Sequence, residues 1–217
     1  IENDIVLIST DPLHPELTII EAPESGGTVI TIEDKSPTIS GFTIANGDGV
    51  YGGGIAVYNG SPELSKLLII GNYATWGGGI YLNEAFPELI NVTIVENTAG
   101  IGASLYFSEG SHPVINSSIF WTSEINQIAC NNSTGAGANS LSIIYTNIGG
   151  SDYLFSTDNA YYEIPDVPLD YSNIDPQFTQ IINIPGDHFS VSDLDWDENY
   201  YYALELTSPC INTGDPD

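Results

Sequence analysis

The chain has 217 residues, of which 41% are hydrophobic, enough for one folded domain with a sizeable core. Its 29 acidic residues face only two lysines, and the formal net charge at pH 7 is −27. This charge repels phosphate backbones and anionic lipid, which excludes nucleic acid and bare membrane as favourable partners. The chain also lacks the apolar run of about eighteen residues that a transmembrane helix needs.

Residues 1–34 contain three short apolar runs, which predict β-strands at 5–8, 17–20 and 29–32. Proline, glutamate, serine and glycine separate these runs. The three-and-four spacing of apolar residues that indicates an amphipathic helix is absent from the sequence. We therefore expect this segment to form imperfect early coils of the repeat that follows it.

A repeat of about 25 residues occupies the middle of the chain. Related segments open at Pro37, Pro62, Pro87 and Pro113, at intervals of 25, 25 and 26 residues. Short β-rich runs within each segment alternate apolar and polar residues, as strands with one buried face do. The pattern predicts an all-β fold, a single-stranded right-handed parallel β-helix. Apolar residues recur in four columns: Ile39, Leu64 and Leu89; Ile44, Ile69 and Ile94; Ile55, Ile80 and Leu105; Val57, Leu82 and Phe107.

Glycine and asparagine mark the turns of the repeat. Glycine-rich stretches at 52–54, 77–79 and 100–102 recur where the chain needs positive φ or close backbone approach. Asn72 and Asn97 occupy one position of the repeat, and Asn46 comes one place early in its own segment. Stacked amides can hydrogen-bond along such a column, so we interpret these asparagines as a structural ladder rather than a catalytic pair.

After Pro113 the repeat loosens and then ends. Residues 115–121 and 141–148 are predicted strands, and residues 131–139 are a polar insertion. We divide the chain into β-helix coils at 1–149 and an irregular C-terminal segment at 150–217. This segment is expected to cap the solenoid or pack on it, because a bare last coil would expose strand edges and core.

Cys130 and Cys210 can form one disulfide across a long loop, which would suit an oxidising compartment, or remain two buried thiols. The chain begins at Ile1 and contains no methionine, which indicates a processed or excised segment.

Two further stretches carry a family resemblance, namely NIDPQF at 173–178 and LTSPCINTGDP at 206–216. Together with the Gly-Gly-Gly-Ile coils, they resemble the pectin-lyase-like right-handed parallel β-helix superfamily, in particular its secreted or surface-anchored bacterial repeat proteins. The resemblance implies an extracellular protein and identifies 206–216 as the closing segment of the solenoid. It does not select one chemistry, because this superfamily includes lyases, galacturonases, esterases and adhesins.

Candidate catalytic groups are few. A lyase of this fold needs a strong base and cations beside an acidic sugar, and Lys35 and Lys66 are the only candidates. Lys66 lies in a predicted strand run, from which it can point outward into solvent. A glycosidase needs two carboxyl groups, about 5 to 5.5 Å apart in retaining enzymes. Stacked coils can supply such pairs, and four glutamates around the turn between coils form an acidic patch: Glu63, Glu84, Glu88 and Glu109.

A calcium site is predicted near the C-terminus, where Asp193, Asp195 and Asp197 alternate and Glu198 follows. A curved loop can direct alternate carboxylates at one hard cation. Glu198 replaces the turn glycine of an EF-hand, and Leu204 replaces its bidentate glutamate, which excludes a complete EF-hand. The alternatives are a looser calcium loop and a plain acidic surface loop.

Aromatic residues form two further columns. Tyr51 and Trp76 share one column with Ile101, and Tyr81 and Tyr106 share another that is expected to face outward. Exposed aromatic faces suit carbohydrate or protein partners, whereas stacked aromatics also stabilise parallel coils. We predict a ligand-binding surface here and retain the structural alternative.

These features favour a non-catalytic extracellular module with a structural, adhesive or glycan-binding role, secreted or anchored at the cell surface. Its expected partner is a polysaccharide or a cell-surface component. A polysaccharide-active enzyme, a carboxylate-based hydrolase before a lyase, is the alternative. Self-association through the solenoid ends, giving a surface assembly or filament, is a further hypothesis, since β-helices expose strand edges there.

Overall fold

The computed structural model describes residues 4–122, 126–131 and 139–149, together with the backbone of two strands at 155–157 and 169–172. The first coil holds β1 (Val6–Ile8), a 3₁₀ turn (Pro15–Leu17), β2 (Ile19–Glu21) and β3 (Ile30–Glu33). The second coil holds β4 (Thr38–Ser40), β5 (Thr43–Ala45), β6 (Asp48–Tyr51) and β7 (Ile55–Tyr58). The third holds β8 (Glu63–Ser65), β9 (Leu68–Ile70), β10 (Tyr73–Trp76) and β11 (Ile80–Asn83).

The fourth coil holds β12 (Glu88–Ile90), β13 (Thr93–Val95), β14 (Thr98–Ile101) and β15 (Leu105–Ser108). β16 (Val114–Asn116), β17 (Ile119–Trp121) and β18 (Ile128–Asn131) belong to the fifth. The remaining strands are β19 (Ser142–Gly149), β20 (Phe155–Thr157) and β21 (Leu169–Ser172). None of the described residues belongs to a helix with the length and hydrophobicity needed to traverse a bilayer.

The strands stack in parallel and form four faces of a solenoid. Face 1 contains β1, β4, β8, β12 and β16, and face 2 contains β2, β5, β9, β13 and β17. The long strand β19 joins them, since its first half pairs with β16 and its second half with β17. Face 3 contains β6, β10 and β14, and face 4 contains β3, β7, β11, β15, β18 and β20.

The core lies inside the solenoid, and each of its columns holds one residue from every coil. On face 1, for example, Leu64 pairs with Ile39 on one side and with Leu89 on the other, and the column continues to Ile115 and Ile143. All five side chains are fully buried. Burial of a leucine or isoleucine side chain stabilises a fold by about 1.5–3 kcal/mol, so such columns are the main source of stability. The predicted parallel β-solenoid with a period of about 25 residues is confirmed.

The structure refines the predictions at both ends. Residues 4–34 form a single coil, and the second predicted strand lies two residues later, at Ile19–Glu21, because Pro15 opens the 3₁₀ turn. The sequence did not indicate β18. The ladder also continues beyond residue 149, since β20 pairs with β18 and β21 with β19. Most of 150–217 lies outside the described residues, so the domain boundary and the capping role stay predictions.

Candidate functional site

Strand register places the aromatic residues in the two columns expected from the repeat. Trp76 on β10 pairs with Tyr51 on β6 and with Ile101 on β14. Tyr81 on β11 pairs with Tyr106 on β15. The first column lies on face 3 where it meets face 4, and the second lies on face 4.

The rings of both columns pack together into one cluster, which we call the aromatic corner: Tyr51, Tyr58, Trp76, Tyr81 and Tyr106. Tyr51 stacks on Trp76 with ring centroids 5.1 Å apart and planes 15° apart. Tyr81 lies 4.8 Å from Tyr51 and stacks on Tyr106 at 5.7 Å. Tyr58, which the sequence analysis did not select, lies 5.6 Å from Tyr81. Each ring is therefore held by at least one other ring.

Exposure differs sharply within the aromatic corner. Tyr81 and Tyr106 are only 7% and 4% exposed, although they alternate with core residues and were expected to face outward. Trp76 is half-buried, whereas Tyr51 is 41% exposed. The buried tyrosines thus support the corner, and Tyr51 is the ring that a ligand can reach most readily.

Face 3 adds two exposed residues that the sequence analysis missed, Tyr73 and Val50. Tyr73 begins β10 beside Asp48 of β6, and the next residue, Ala74, is fully buried. Because successive side chains of a strand point to opposite faces, the alanine next to Tyr73 was the sequence feature that could have predicted Tyr73 to be exposed. Face 3 is therefore more apolar on its outer side than the repeat columns indicated.

Burial disfavours ionisation of two phenols of the aromatic corner, those of Tyr58 and Tyr81. Burial, together with the electrostatic effects of Tyr81, Tyr51 and Glu33, raises the pKa of Tyr58 to about 12. Burial also raises the pKa of Tyr81, which hydrogen bonds with Ser108 and Asn83 partly offset. Near neutral pH the hydroxyl groups of Tyr58 and Tyr81 are therefore uncharged.

The four glutamates of the acidic patch lie at the opposite edge of face 4, where each coil passes to face 1 of the next. Glu63 and Glu88 are register neighbours on β8 and β12. Glu84 and Glu109 follow β11 and β15 in left-handed backbone, with φ of 50° and 55°. Among the described residues, no three acidic, histidine or cysteine side chains converge on a point that could hold a metal ion.

The same edge contains an aromatic pair that sequence reasoning missed. Phe86 stacks on His112 with ring centroids 5.2 Å apart, and Phe86 is 50% exposed. His112 also contacts Ser140 through Nδ1. Phe86 and His112 each directly precede the proline that opens a repeat, Pro87 and Pro113. This shared position was the sequence feature that could have predicted their contact.

The two lysines lie in different turns. The sequence analysis placed Lys66 in a strand run. In the structure Lys66 has φ of 53° and lies in the turn that connects β8 to β9. Lys35 follows β3, and its Nζ donates to the carbonyl of Asp34 at 3.1 Å. The structure thus brings no pair of lysines together.

The predicted calcium ligands lie outside the described residues: Asp193, Asp195, Asp197 and Glu198. Cys130 is buried on β18, and its predicted partner Cys210 also lies outside the described residues. Both the calcium site and the disulfide stay predictions.

In comparisons with known proteins, the chain matches no family model, no curated protein and no solved structure. Function therefore follows only from the chemistry of the residues themselves.

Proposed function

We propose that this chain is a non-catalytic extracellular β-helix module that binds a glycan through its aromatic corner. The observation that carries the proposal is the exposed ring of Tyr51, which stacks on Trp76 above the buried ring of Tyr81. An aromatic face offers apolar area to the C–H face of a sugar, and its hydroxyl offers a hydrogen bond. Because neighbouring rings already hold Tyr51 in place, binding costs little side-chain entropy.

Sequence features support the proposed superfamily, cellular location and cofactor. Membership of the pectin-lyase-like superfamily and a secreted or surface-anchored location are supported by the glycine-rich coils and the segment at 206–216. Calcium is a proposed cofactor, supported by the alternate carboxylates at 193–198. A polysaccharide or cell-surface component is the proposed partner.

Retention on a panel of neutral and acidic polysaccharides tests the proposal, with calcium or a chelator present. Wild-type protein should be retained without new reducing ends or unsaturated products. Replacing both Tyr51 and Trp76 with alanine should weaken retention at least roughly tenfold, because about 1.4 kcal/mol of stacking is lost. Phe86→Ala is the matched control, since it removes an exposed ring from another edge.

New reducing ends or unsaturated products released from any of these polysaccharides would contradict a non-catalytic role. New reducing ends that disappear in Glu63→Gln and Glu88→Gln would support the hydrolase, because register neighbours about 4.8 Å apart approach the carboxyl separation of retaining glycosidases. Unsaturated products that depend on Lys66 would support a lyase.

A second candidate function is assembly with another copy through the N-terminal end of the solenoid. Large exposed apolar side chains concentrate in the first coil: Ile5, Val6, Ile8, Leu13 and Leu17. β1 and β2 are also the outermost strands of faces 1 and 2. An open, apolar strand edge is a template for pairing with another chain.

A further inference from the structure

Among the described residues, the Tyr51 ring has aromatic neighbours on one side only. Both of its ring partners, Trp76 and Tyr81, belong to the coil that follows. No ring from the preceding coil can cover the other side, because residues 1–41 contain no phenylalanine, tryptophan or tyrosine. The aromatic column therefore stops at Tyr51, with one ring face turned toward the first coil.

The first coil also covers β6 with a short turn and not with a strand. Where the next three coils have a face 3 strand, it has a turn in which Gly27 exchanges two backbone hydrogen bonds of 2.9 Å with Asp48. A Cβ atom added at Gly27 would meet nothing within 4 Å. Thr28 donates its hydroxyl to the carbonyl of Tyr51 at 3.0 Å, which holds the turn against β6. Between its contacts with Asp48 and Gly53, the turn crosses β6 with Thr28 alone, so it places no strand and no aromatic ring beside Tyr51.

The charged side chains of this turn and of the start of β6 are acidic. Asp48 is exposed, and its Oδ2 atom would lie 3.6 Å from a Cβ atom at Gly26. Glu24 is exposed in the same turn. The two lysines lie in turns elsewhere, after β3 and between β8 and β9. A carboxylate accepts hydrogen bonds from sugar hydroxyls and repels the carboxylate of an acidic sugar.

We propose that the open face of Tyr51 is a subsite for an uncharged pyranose ring, which stacks as the next member of the Trp76–Tyr51 column, while Asp48, three residues earlier on β6, accepts hydrogen bonds from hydroxyls of the same glycan chain. This inference rests on the proposed glycan-binding function and narrows it to uncharged glycans. The negative charge of the subsite selects against acidic glycans. Stacking on Tyr51 selects for a sugar with a flat C–H face.

Calorimetric titration of the full chain with neutral hexasaccharides of glucose, mannose and xylose, and with oligogalacturonate, tests the subsite at low and high salt. At least one neutral sugar should bind, and oligogalacturonate should not bind at low salt. Tyr51→Ala should weaken neutral binding at least tenfold, whereas Tyr51→Phe, which keeps the ring, should retain it within about threefold. Phe86→Ala is the control and should leave affinity unchanged.

Asp48→Lys provides a second readout that does not depend on losing a ring. It should admit oligogalacturonate at low salt, and the gain should shrink as salt screens the new charge. Neutral binding that survives Tyr51→Ala, or oligogalacturonate binding to wild-type protein, would overturn the subsite while leaving glycan binding in place. If no glycan of any charge binds, the proposed function itself fails.

Discussion

At the scale of single residues, the asparagine ladder shows how one side chain can join successive coils. Asn72 and Asn97 are almost fully buried, and the backbone N–H and Nδ2 of Asn72 both donate to Oδ1 of Asn97, at 3.0 and 2.9 Å. Asn97 Nδ2 donates to the carbonyls of Ile69 and Val95. The predicted ladder is confirmed, with Gly47 and not Asn46 in the matching place, because the backbone N–H of Gly47 donates to Asn72 Oδ1.

Asn97→Ala should lower the free energy of unfolding by about 3 kcal/mol, because it leaves several buried donors and acceptors without partners at about 1–3 kcal/mol each. Urea unfolding measures the loss. Thr98→Ala, at the exposed neighbouring residue, is the control and should change stability by less than about 0.5 kcal/mol. Equal effects of the two substitutions would show that the ladder contributes nothing specific.

At the scale of elements, each strand has an inward and an outward column, and stacking brings like residues together in both. Inward, this packs apolar side chains against each other, as Leu64 does against Leu89. Outward, the same register places the exposed carboxylates of Glu63 and Glu88 on adjacent strands. Like charges on adjacent strands destabilise a sheet, so the acidic patch costs stability that the core must offset.

Glu88→Gln should therefore raise the free energy of unfolding by about 0.5 kcal/mol at low salt, since it removes one side of this repulsion. The gain should vanish near 1 M salt, where the Debye length is about 3 Å. Chemical unfolding at both salt concentrations measures it. Glu24→Gln is the control, because it removes one negative charge from a turn and not from adjacent strands. An identical rise in the free energy of unfolding for this variant would show that the effect comes from overall charge.

At the scale of the whole molecule, β1 and β2 have an unpaired outer edge among the described residues, and the net charge of −27 opposes association. Ser9 N–H bonds to the Ser40 carbonyl, and Thr38 N–H bonds to the Ile5 carbonyl. Because peptide groups alternate along a strand, those of Val6 and Ile8 point to the open edge. At the far end of the described ladder β21 pairs with β19, and head-to-head pairing of two N-terminal coils gives a closed dimer.

Light scattering should show a monomer at low salt and a dimer at high protein concentration near 1 M salt, where charge repulsion is screened. Ile8→Pro should weaken the dimer, because it removes a donor from the open edge and leaves the bonds to β4 intact. Phe86→Ala removes apolar surface elsewhere and should have no effect. A strictly monomeric profile at every salt concentration would rule out this assembly.

The repeat in the amino-acid sequence was sufficient to predict the period, the core columns, the aromatic columns and the acidic patch. In a solenoid, residues one period apart become spatial neighbours, so a linear repeat translates directly into contacts, as it did for Trp76 and Tyr51. Only the tertiary structure decided which of these side chains are accessible. Tyr81 is buried and Tyr51 is open because accessibility depends on the neighbouring face and the preceding coil, and neither follows the repeat at that corner.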